Sequence, residues 1–565
     1  MISERDNEIL RHLRREYDAL KQLRRGHEPF WRDVKRYFCP ERGRFLSGSN
    51  SSEVNNGGTD ERYRLNGEGS RALSVLASGI QSGLTSKSRQ WFQLDNPDPV
   101  LGKNHEVRKW YGNVQSILEN IFRRSNLYDA LLDAYTELAA FGQACVSVEE
   151  HESKVINVRS HTCGTYYFAT NEHNEVDTVF LIEYLTPHQL VGRFGEDAVG
   201  ERIATASKNN RSDQQYEVIQ CVTRHPERYK LNGLSGKPVA SVHFLGNNSS
   251  SGGGGDVGIL RISGFDTFPF MTPRWATIDN DIYGYAPTRN VICDAKMLTA
   301  METDKLKGLG KIVSPPMRIP PSMDRRGLNM ERGGLNVVSD MGSDAVAPLY
   351  TVGIEIQQLQ MAINQTIQAI KDGLYNGLFL ALLMQDNPQM TATEVSARQS
   401  EKMLMLGPVL ERIHYELLDP LIVRTFRLAD ARGLIPSPPD ALIGQETNME
   451  YVSILSQAQK AVGVSRIEQS MQFLGGLLQI SPEIRHAIDF HKAFRVYNQM
   501  IGVSEDIMTS DEEYAKAVKE ERQAAQQAQA AQTMQPLAES AKALSEIDQA
   551  NINTMLSGGG LSSVL

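Results

Sequence analysis

The sequence predicts an α+β chain, mainly helical, with a β-rich block set between helical parts. Apolar residues recur every three or four positions over 66–92, 104–124 and 127–141. The pattern then switches, over about 142–275, to short β-branched and aromatic runs separated by turn formers. Helical spacing returns in three long stretches, 287–310, 354–376 and 390–430. A chain of 565 residues is too long for one core.

The elements follow in order. Residues 3–38 read as one charged helix with Ile9, Leu13, Leu20 and Leu23 on one side, leading into Phe30, Trp31, Tyr37 and Phe38. The stretch SGSNSSEVNNGGTD, 47–60, reads as a loop. Leu73, Leu76, Ile80 and Leu84 mark the next helix, and Leu131, Leu132, Tyr135 and Leu138 mark that of 127–141. QACVSVEE, KVINVRS, TYYFATN, VDTVFLIEYLT, YEVIQCVTR, VASVHFLG and GILRISGF then read as strands, and NNSSSGGGGDVG, 247–258, as a loop or hairpin tip.

Residues 287–310 open with Pro, tolerated at the start of a helix, and carry Val291, Ala295, Leu298, Met301 and Leu306. Residues 354–376 place Ile356, Leu359, Ile363, Ile367, Ile370 and Leu374 on one stripe. Between them lies a Pro- and Gly-rich segment that cannot be helical throughout, expected to be a small projecting module. Thr391 and Glu394 form a capping box for the third long helix. Its stripe is Leu406, Leu410, Ile413, Leu417 and Leu421, with kinks expected at Pro408 and Pro420 and an end near 430–439. Residues 445–505 read as short helices, and 510–556 as an Ala/Gln-rich helical tail nearly without a core face, opening on a second box at Ser510 and Glu513.

Composition and motifs restrict the chemistry. Net charge is −9, with +4 in residues 1–45 and −6 in 505–548, a balance unsuited to gripping phosphates tightly. The longest apolar run, Leu378 to Met384, is far below the roughly 20 residues of a membrane helix, and the charged N-terminal stretch lacks the core of a signal peptide. The five cysteines contain no CxxC and are expected to be reduced thiols. GLSGKPV and GLGKIV lack the spacing and hydroxyl of a P-loop, and no HExxH or GxSxG occurs. His161 and Cys163 lack a second ligand pair, so no metal, cofactor or catalytic residue is expected.

Several segments, in order, resemble the portal (head-to-tail connector) proteins of short-tailed bacteriophages. They are FWRDVKRYFCPERGRF (30–45), NGEGSRALSVLASGIQSGLTSKSRQWFQL (66–94), AFGQACVSVEE (140–150) and MTATEVSARQSEKMLMLGPVLERIHYELLDPLIVRTF (390–426). The resemblance runs over most of 1–510 and implies a non-enzymatic ring of about twelve copies around a DNA channel at a capsid vertex. By order it implies a wing at 1–285, stem helices at 286–311 and 353–377, and a clip at 312–352. It further implies a tunnel loop at 378–391, a long kinked helix at 392–430, a crown at 431–510, and a tail at 511–565 that forms a helical barrel or is disordered. Implied partners are further copies of the chain, the large terminase subunit, tail adaptor and tail tube proteins, major capsid and scaffolding proteins, and double-stranded DNA without sequence specificity; no membrane is implied. The implied location is the virion, after assembly in the host bacterial cytoplasm.

Within that frame Gln385, Asn387 and Gln389, neutral and polar, are the candidate DNA-facing residues of the tunnel loop. Arg318, Arg325, Arg326 and Arg332 are the candidate clip contacts, since a planar guanidinium pairs bidentately with carboxylates. The rival readings are an ordinary solvated loop for each set. For the whole chain the rivals are a minor capsid or scaffold-type protein, or a metal-dependent nucleic-acid-processing enzyme.

Overall fold

The computed structural model describes residues 4–45, 65–96, 98, 104–209, 214–231, 236–246, 258–313, 317–318, 347–348, 356–383, 406–442 and 448–451, with isolated helical residues at 494, 516, 519–520 and 523–524. The chain divides into two units, Met1–Val462 and Gly463–Leu565, and the architecture below is that of the first. The loops of 47–60 and 247–257, the Thr391/Glu394 box and most of 445–565 lie outside the described residues.

The N-terminal helical run breaks once, where one helix was expected. Helix α1 spans Glu4–Arg24 and α2 spans Glu28–Tyr37. Pro29, tolerated in the first turn of α2, could not donate to a carbonyl inside one continuous helix, and Gly26 sits in the turn. Ile9, Leu13 and Leu20 are buried as their spacing requires, joined by Leu10 and Tyr17. Leu23 is instead 58% exposed. The inward place goes to Arg24, which donates to the carbonyls of Gly164 (2.9 Å) and Tyr166 (3.0 Å) and lies 3.7 Å from the Tyr167 ring centroid.

Helix α3, Glu68–Leu84, buries Leu73, Leu76, Ile80 and Leu84. It ends earlier than the 66–92 periodicity suggested, and Phe92–Asp95 forms strand β1. Helices α4 (His105–Arg124) and α5 (Leu127–Phe141) follow where expected. α5 closes on Gly142, whose φ of 85° and close approach to the Gly284 backbone leave no room for a side chain.

The β-rich block is real and resolves into two antiparallel sheets. Strands β2 (Cys145–His151) and β3 (Val155–His161) pair with each other, and β4 (Tyr166–Thr170) and β5 (Val176–Leu185) begin the larger sheet. Three short helices then interrupt: α6 (Pro187–Phe194), α7 (Glu196–Val199) and α8 (Glu201–Lys208). Their sequence signal was local: Thr186 and Gln189 form a reciprocal capping box around Pro187. Strands β6 (Tyr216–Thr223), β7 (Val239–Leu245) and β8 (Ile259–Phe265) complete an order β4-β5-β6-β7-β8, while β9 (Phe270–Met271) adds to β2 to give β3-β2-β9. Strand alternation divides the cores. Tyr166 and Phe168 join the main core, whereas Tyr167 and Ala169 face the cluster covered by α1.

Helix α9 (Thr288–Val313) begins one residue after Pro287. Strands β10 (Met317–Arg318) and β11 (Ala347–Pro348) pair antiparallel, and α10 (Ile356–Gly373) and α11 (Asn376–Leu383) follow. Helix is again described from 406 to 413, through a π-helical turn at His414–Leu418, and on into α12, Asp419–Ala431. The break expected at Pro420 thus takes a definite form. The Asp419 N–H donates five residues back to the His414 carbonyl, widening the turn just before the residue that has no N–H to donate. Strand β12, Asn448–Tyr451, pairs with β1, where short helices were expected from 445 onward. A four-residue strand needs its partner to be recognised, and that partner is more than 350 residues away.

One tight contact ties the helical layers together. A Cβ on Gly79 of α3 would lie 2.3 Å from Cγ of the buried Phe379 of α11. Gly79→Ala is therefore expected to lower stability by about 1–3 kcal/mol through displacement of the ring. Gly112→Ala in α4, where the space is open, should instead gain up to about 1 kcal/mol. Thermal unfolding of the two variants in parallel checks the contrast, and equal effects would show that Phe379 yields freely.

Candidate functional site

The region that the order of elements singles out is the pair α9/α10 with the long helix that follows. α9 and α10 run antiparallel: Lys305 Nζ donates to Gln360 Oε1 at 2.8 Å, while Val291 lies against Gly373 further along. Their seam is the predicted one, with Val291, Ala295 and Leu298 of α9 buried and Ile363 and Ile370 of α10 buried. At 1.5 Å per residue the helices are about 39 and 27 Å long. Their bases are fastened to the rest of the unit. Thr288 Oγ1 donates to the Ala140 carbonyl (2.7 Å), Lys296 pairs with Asp33, and Lys371 pairs with Glu68 at 3.1 Å.

The far ends carry unsatisfied apolar surface. Leu306 and Val313 are each 56% exposed, and Ile312 and Met361 are also exposed. Leu306 was expected on the apolar stripe, but the chain itself leaves it uncovered. Apolar groups grouped on an exposed helix end mark an interaction surface. Beyond α9 the chain pairs Met317 with Pro348 and Arg318 with Ala347.

Arg318 therefore sits on β10, at the root of the connecting segment. Arg325, Arg326 and Arg332 lie outside the described residues, as do Gln385, Asn387 and Gln389.

What sequence reading missed are the arginines that bolt the long helix to the β-rich block. Glu416, in the π-helical turn, accepts from the Arg274 backbone N–H (2.7 Å), Nε (3.2 Å) and Nη2 (2.8 Å). The other side of that guanidinium donates to the carbonyl and side-chain oxygens of Asn174. Tyr415 donates to Glu175, and Arg412 to Thr277. In α12, Arg424 is buried and donates to the carbonyls of Val148 and Thr267 and to the Thr267 hydroxyl, each at 2.7 Å. Burial lowers the Arg424 guanidinium to about 10. A signal for Arg424 did exist: it falls seven residues after Leu417 and three after Leu421, on the apolar stripe itself, where a cation must find acceptors.

Elsewhere the buried charge is structural. Glu137 is fully buried and accepts from Thr162 Oγ1 (2.8 Å), the Cys163 N–H (2.9 Å) and Arg42 (3.4 Å). Burial raises its carboxyl, against the lowering by Arg42 and these hydrogen bonds. His161 is hydrogen-bonded to the buried Ser147 at 2.9 Å. Among the described residues no three His, Cys, Asp or Glu side chains are grouped to hold a metal, and no described helix is long and apolar enough to cross a membrane.

The first unit thus combines a mixed helical and sheet body, two long antiparallel helices with the β10/β11 pairing beyond α9, and a broken helix clamped to the sheets. Residues 10–508 match the model of the bacteriophage head to tail connecting protein family, and the chain belongs to that family. It is 34% identical over 534 residues to the portal protein of Salmonella phage epsilon15, covering 93% of this chain and 94% of that one. It is 32% identical over 547 residues to a probable portal protein of Bordetella phage BPP-1, covering 94% and 95% respectively.

Proposed function

We propose that this chain is a portal: a closed ring of copies at one capsid vertex that nucleates head assembly, docks the packaging terminase and later the tail adaptor, and passes double-stranded DNA in and out. The observation that carries the reading is family membership across residues 10–508, with relatives named as portal proteins matching over nearly their whole length. In this reading residues 1–285 are the wing, 286–311 and 353–377 the stem, and 312–352 the clip, with Arg318, Arg325, Arg326 and Arg332 as its partner contacts. Residues 378–391 are the tunnel loop, presenting Gln385, Asn387 and Gln389 to the duplex. Residues 392–430 are the long helix, 431–510 the crown and 511–565 the tail. Chemistry on ATP belongs to the partner motor, and the portal is the passive conduit of a virion.

The exposed apolar tips of α9 and α10 support ring formation, because a heterologous interface that closes on itself covers such surface on every copy. Electron microscopy of the purified protein should show closed rings with a central hole wide enough for a duplex. Leu306→Asp together with Val313→Asp should abolish them. A carboxylate buried without a partner costs at least about 3 kcal/mol, more than a hundredfold per interface. Rings that form as readily in the double variant would place the inter-copy contact elsewhere; wild-type protein that never closes, even with capsid and scaffold present, would overturn the portal reading.

A further inference from the structure

Helix α1 carries its charges unevenly. Glu8 pairs with Lys230 and Glu16 lies beside Tyr229, both at the turn Pro226–Tyr229 that follows β6. Arg11, Arg15, Lys21 and Arg25 are exposed on another side, and none of the four is held in an ion pair among the described residues. Next to that side, α1 and the sheet leave a cleft of about 40 Å³, lined by Arg14, Tyr17 and Lys21 of the helix and Glu217, Ile219 and Phe244 of the sheet. Gly246 brings no side chain to fill it, and a Cβ there would lie 2.4 Å from Glu217 Oε2. Arg14 Nε is buried without a hydrogen-bond partner, and its Nη2 meets the Leu245 carbonyl only at a long 3.5 Å. The Tyr17 hydroxyl is equally far from Glu217 Oε1, at 3.5 Å. Burial lowers the Arg14 guanidinium and raises the Glu217 carboxyl, so each charge has lost water that the fold does not fully replace.

We propose that this cleft and the basic side of α1 dock an acidic peptide segment of a partner protein. One carboxylate enters between Arg14, Lys21 and the Tyr17 hydroxyl, and the flanking chain runs along Arg11, Arg15 and Arg25. From Arg11 to Arg25 the helix rises about 21 Å, the span of about six extended residues. The cleft has room for about three waters, which matches the three heavy atoms of a carboxylate and excludes a phosphate with its sugar. Phe244 and Ile219 supply an apolar wall for the methylene stem of an acidic side chain. A duplex would bring one charge per about 1.7 Å past Glu217 and Asp18 as well as past the cations. A single carboxylate beside Arg14 instead meets a buried N–H that lacks an acceptor, and such a charge-assisted bond is a strong one. The whole chain carries a net charge of −9, so an acidic partner is repelled elsewhere and steered to this helix.

The purified full-length protein is titrated, whatever its assembly, with a fluorescein-labelled, end-capped peptide of glutamates and two leucines, and anisotropy is read at low salt. Wild type should bind this peptide and not its glutamine counterpart. Arg14→Gln should weaken binding by roughly tenfold, the loss of one charge-assisted bond. Lys21→Gln should weaken it by a smaller factor, and Glu217→Gln, which removes a competing carboxylate, should tighten it. Lys154→Gln makes the same charge change at an exposed position between β2 and β3 and should leave binding as it was. If Arg14→Gln fails to fold, the exposed Lys21→Gln and the Glu217→Gln variant decide between the outcomes. No binding by wild type at about 1 mM peptide, a bare −4.1 kcal/mol, would overturn the proposal. So would equal losses in Lys21→Gln and Lys154→Gln, which assign the attraction to diffuse charge. Displacement of the peptide by a 30-base-pair duplex at lower concentration would assign the surface to nucleic acid, and displacement by inorganic phosphate would reduce it to a small-anion site.

Discussion

Arg274→Ala is expected to destabilise the first unit by about 3–5 kcal/mol, the cost of leaving one member of a buried ion pair without its partner. Glu416 is the group left stranded. Its side chain is 13% exposed, that of Arg274 is 5% exposed, and three donors from this one residue now converge on it. The alanine variant keeps the backbone N–H but loses both guanidinium donors, and the two Asn174 oxygens lose the Arg274 donors as well. Glu416→Ala should be comparably damaging, because it leaves the Arg274 charge buried. Arg274→Ala/Glu416→Ala should be less damaging than the two single losses added, since neither charge then remains. Hydrogen exchange gives the local readout. Amides of 414–422 should exchange faster in both single variants, because the clamp holds a π-helical turn that an uninterrupted α-helix would not form. A variant that unfolds within about 0.5 kcal/mol of wild type, the range of ordinary surface substitutions, would show that the apolar seam alone holds the long helix.

Acidification from pH 6.5 towards 4 is expected to cost several kcal/mol of stability before most exposed carboxylates titrate. Three histidines, His161, His243 and His414, are lowered to about 4, in each case chiefly by burial. The unfolded chain takes up these protons near the ordinary value of 6.5, while the folded protein does not until about 4. The unfolded state therefore binds more protons throughout that window, and stability falls as pH falls, by about 1.4 kcal/mol per pH unit for each histidine. Two carboxyls, one buried and one half-buried, oppose this. Glu137 and Glu217 are raised by burial, so the folded state binds their protons first and gains stability as pH falls through the same region. Three histidines against two carboxyls leave a net loss. His243→Phe isolates one contribution, because His243 is buried and packs on the Phe194 ring with a 5.3 Å centroid separation. The variant should be at least as stable as wild type at pH 7.5 and should flatten the slope by about one proton. Urea midpoints at pH 7.5 and 5 measure both, and an unchanged slope would show that His243 is protonated in the folded protein.

Much of this architecture was legible residue by residue. The helices at 105–124 and 127–141 and seven strands between 145 and 265 lie where apolar periodicity placed them, because these elements each bury one continuous face and that face leaves a repeat in the chain. The family was legible too, since the segments that resemble portal proteins are spread in order over most of the length that the family model matches. Local chemistry that was present but unread accounts for other differences. Gly26 and Pro29 divide the first helix, and Thr186 with Gln189 caps a helix inside the strand block.

Other features carry no local mark. Periodicity put Leu23 inside and left Arg24 out, yet Arg24 finds the carbonyls of Gly164 and Tyr166 and the Tyr167 ring some 140 residues on and takes the buried place. The pairing of 92–95 with 448–451, the Arg274–Glu416 clamp and the contact of Gly79 with Phe379 are of the same kind. Each joins residues far apart in the chain, and a buried polar group or a missing side chain is stabilised only by the particular atoms that folding brings beside it. Repeating apolar faces are a property of neighbours along the chain and could be read from order alone. Complementary partners are a property of neighbours in space, and they emerge only once the layers have packed.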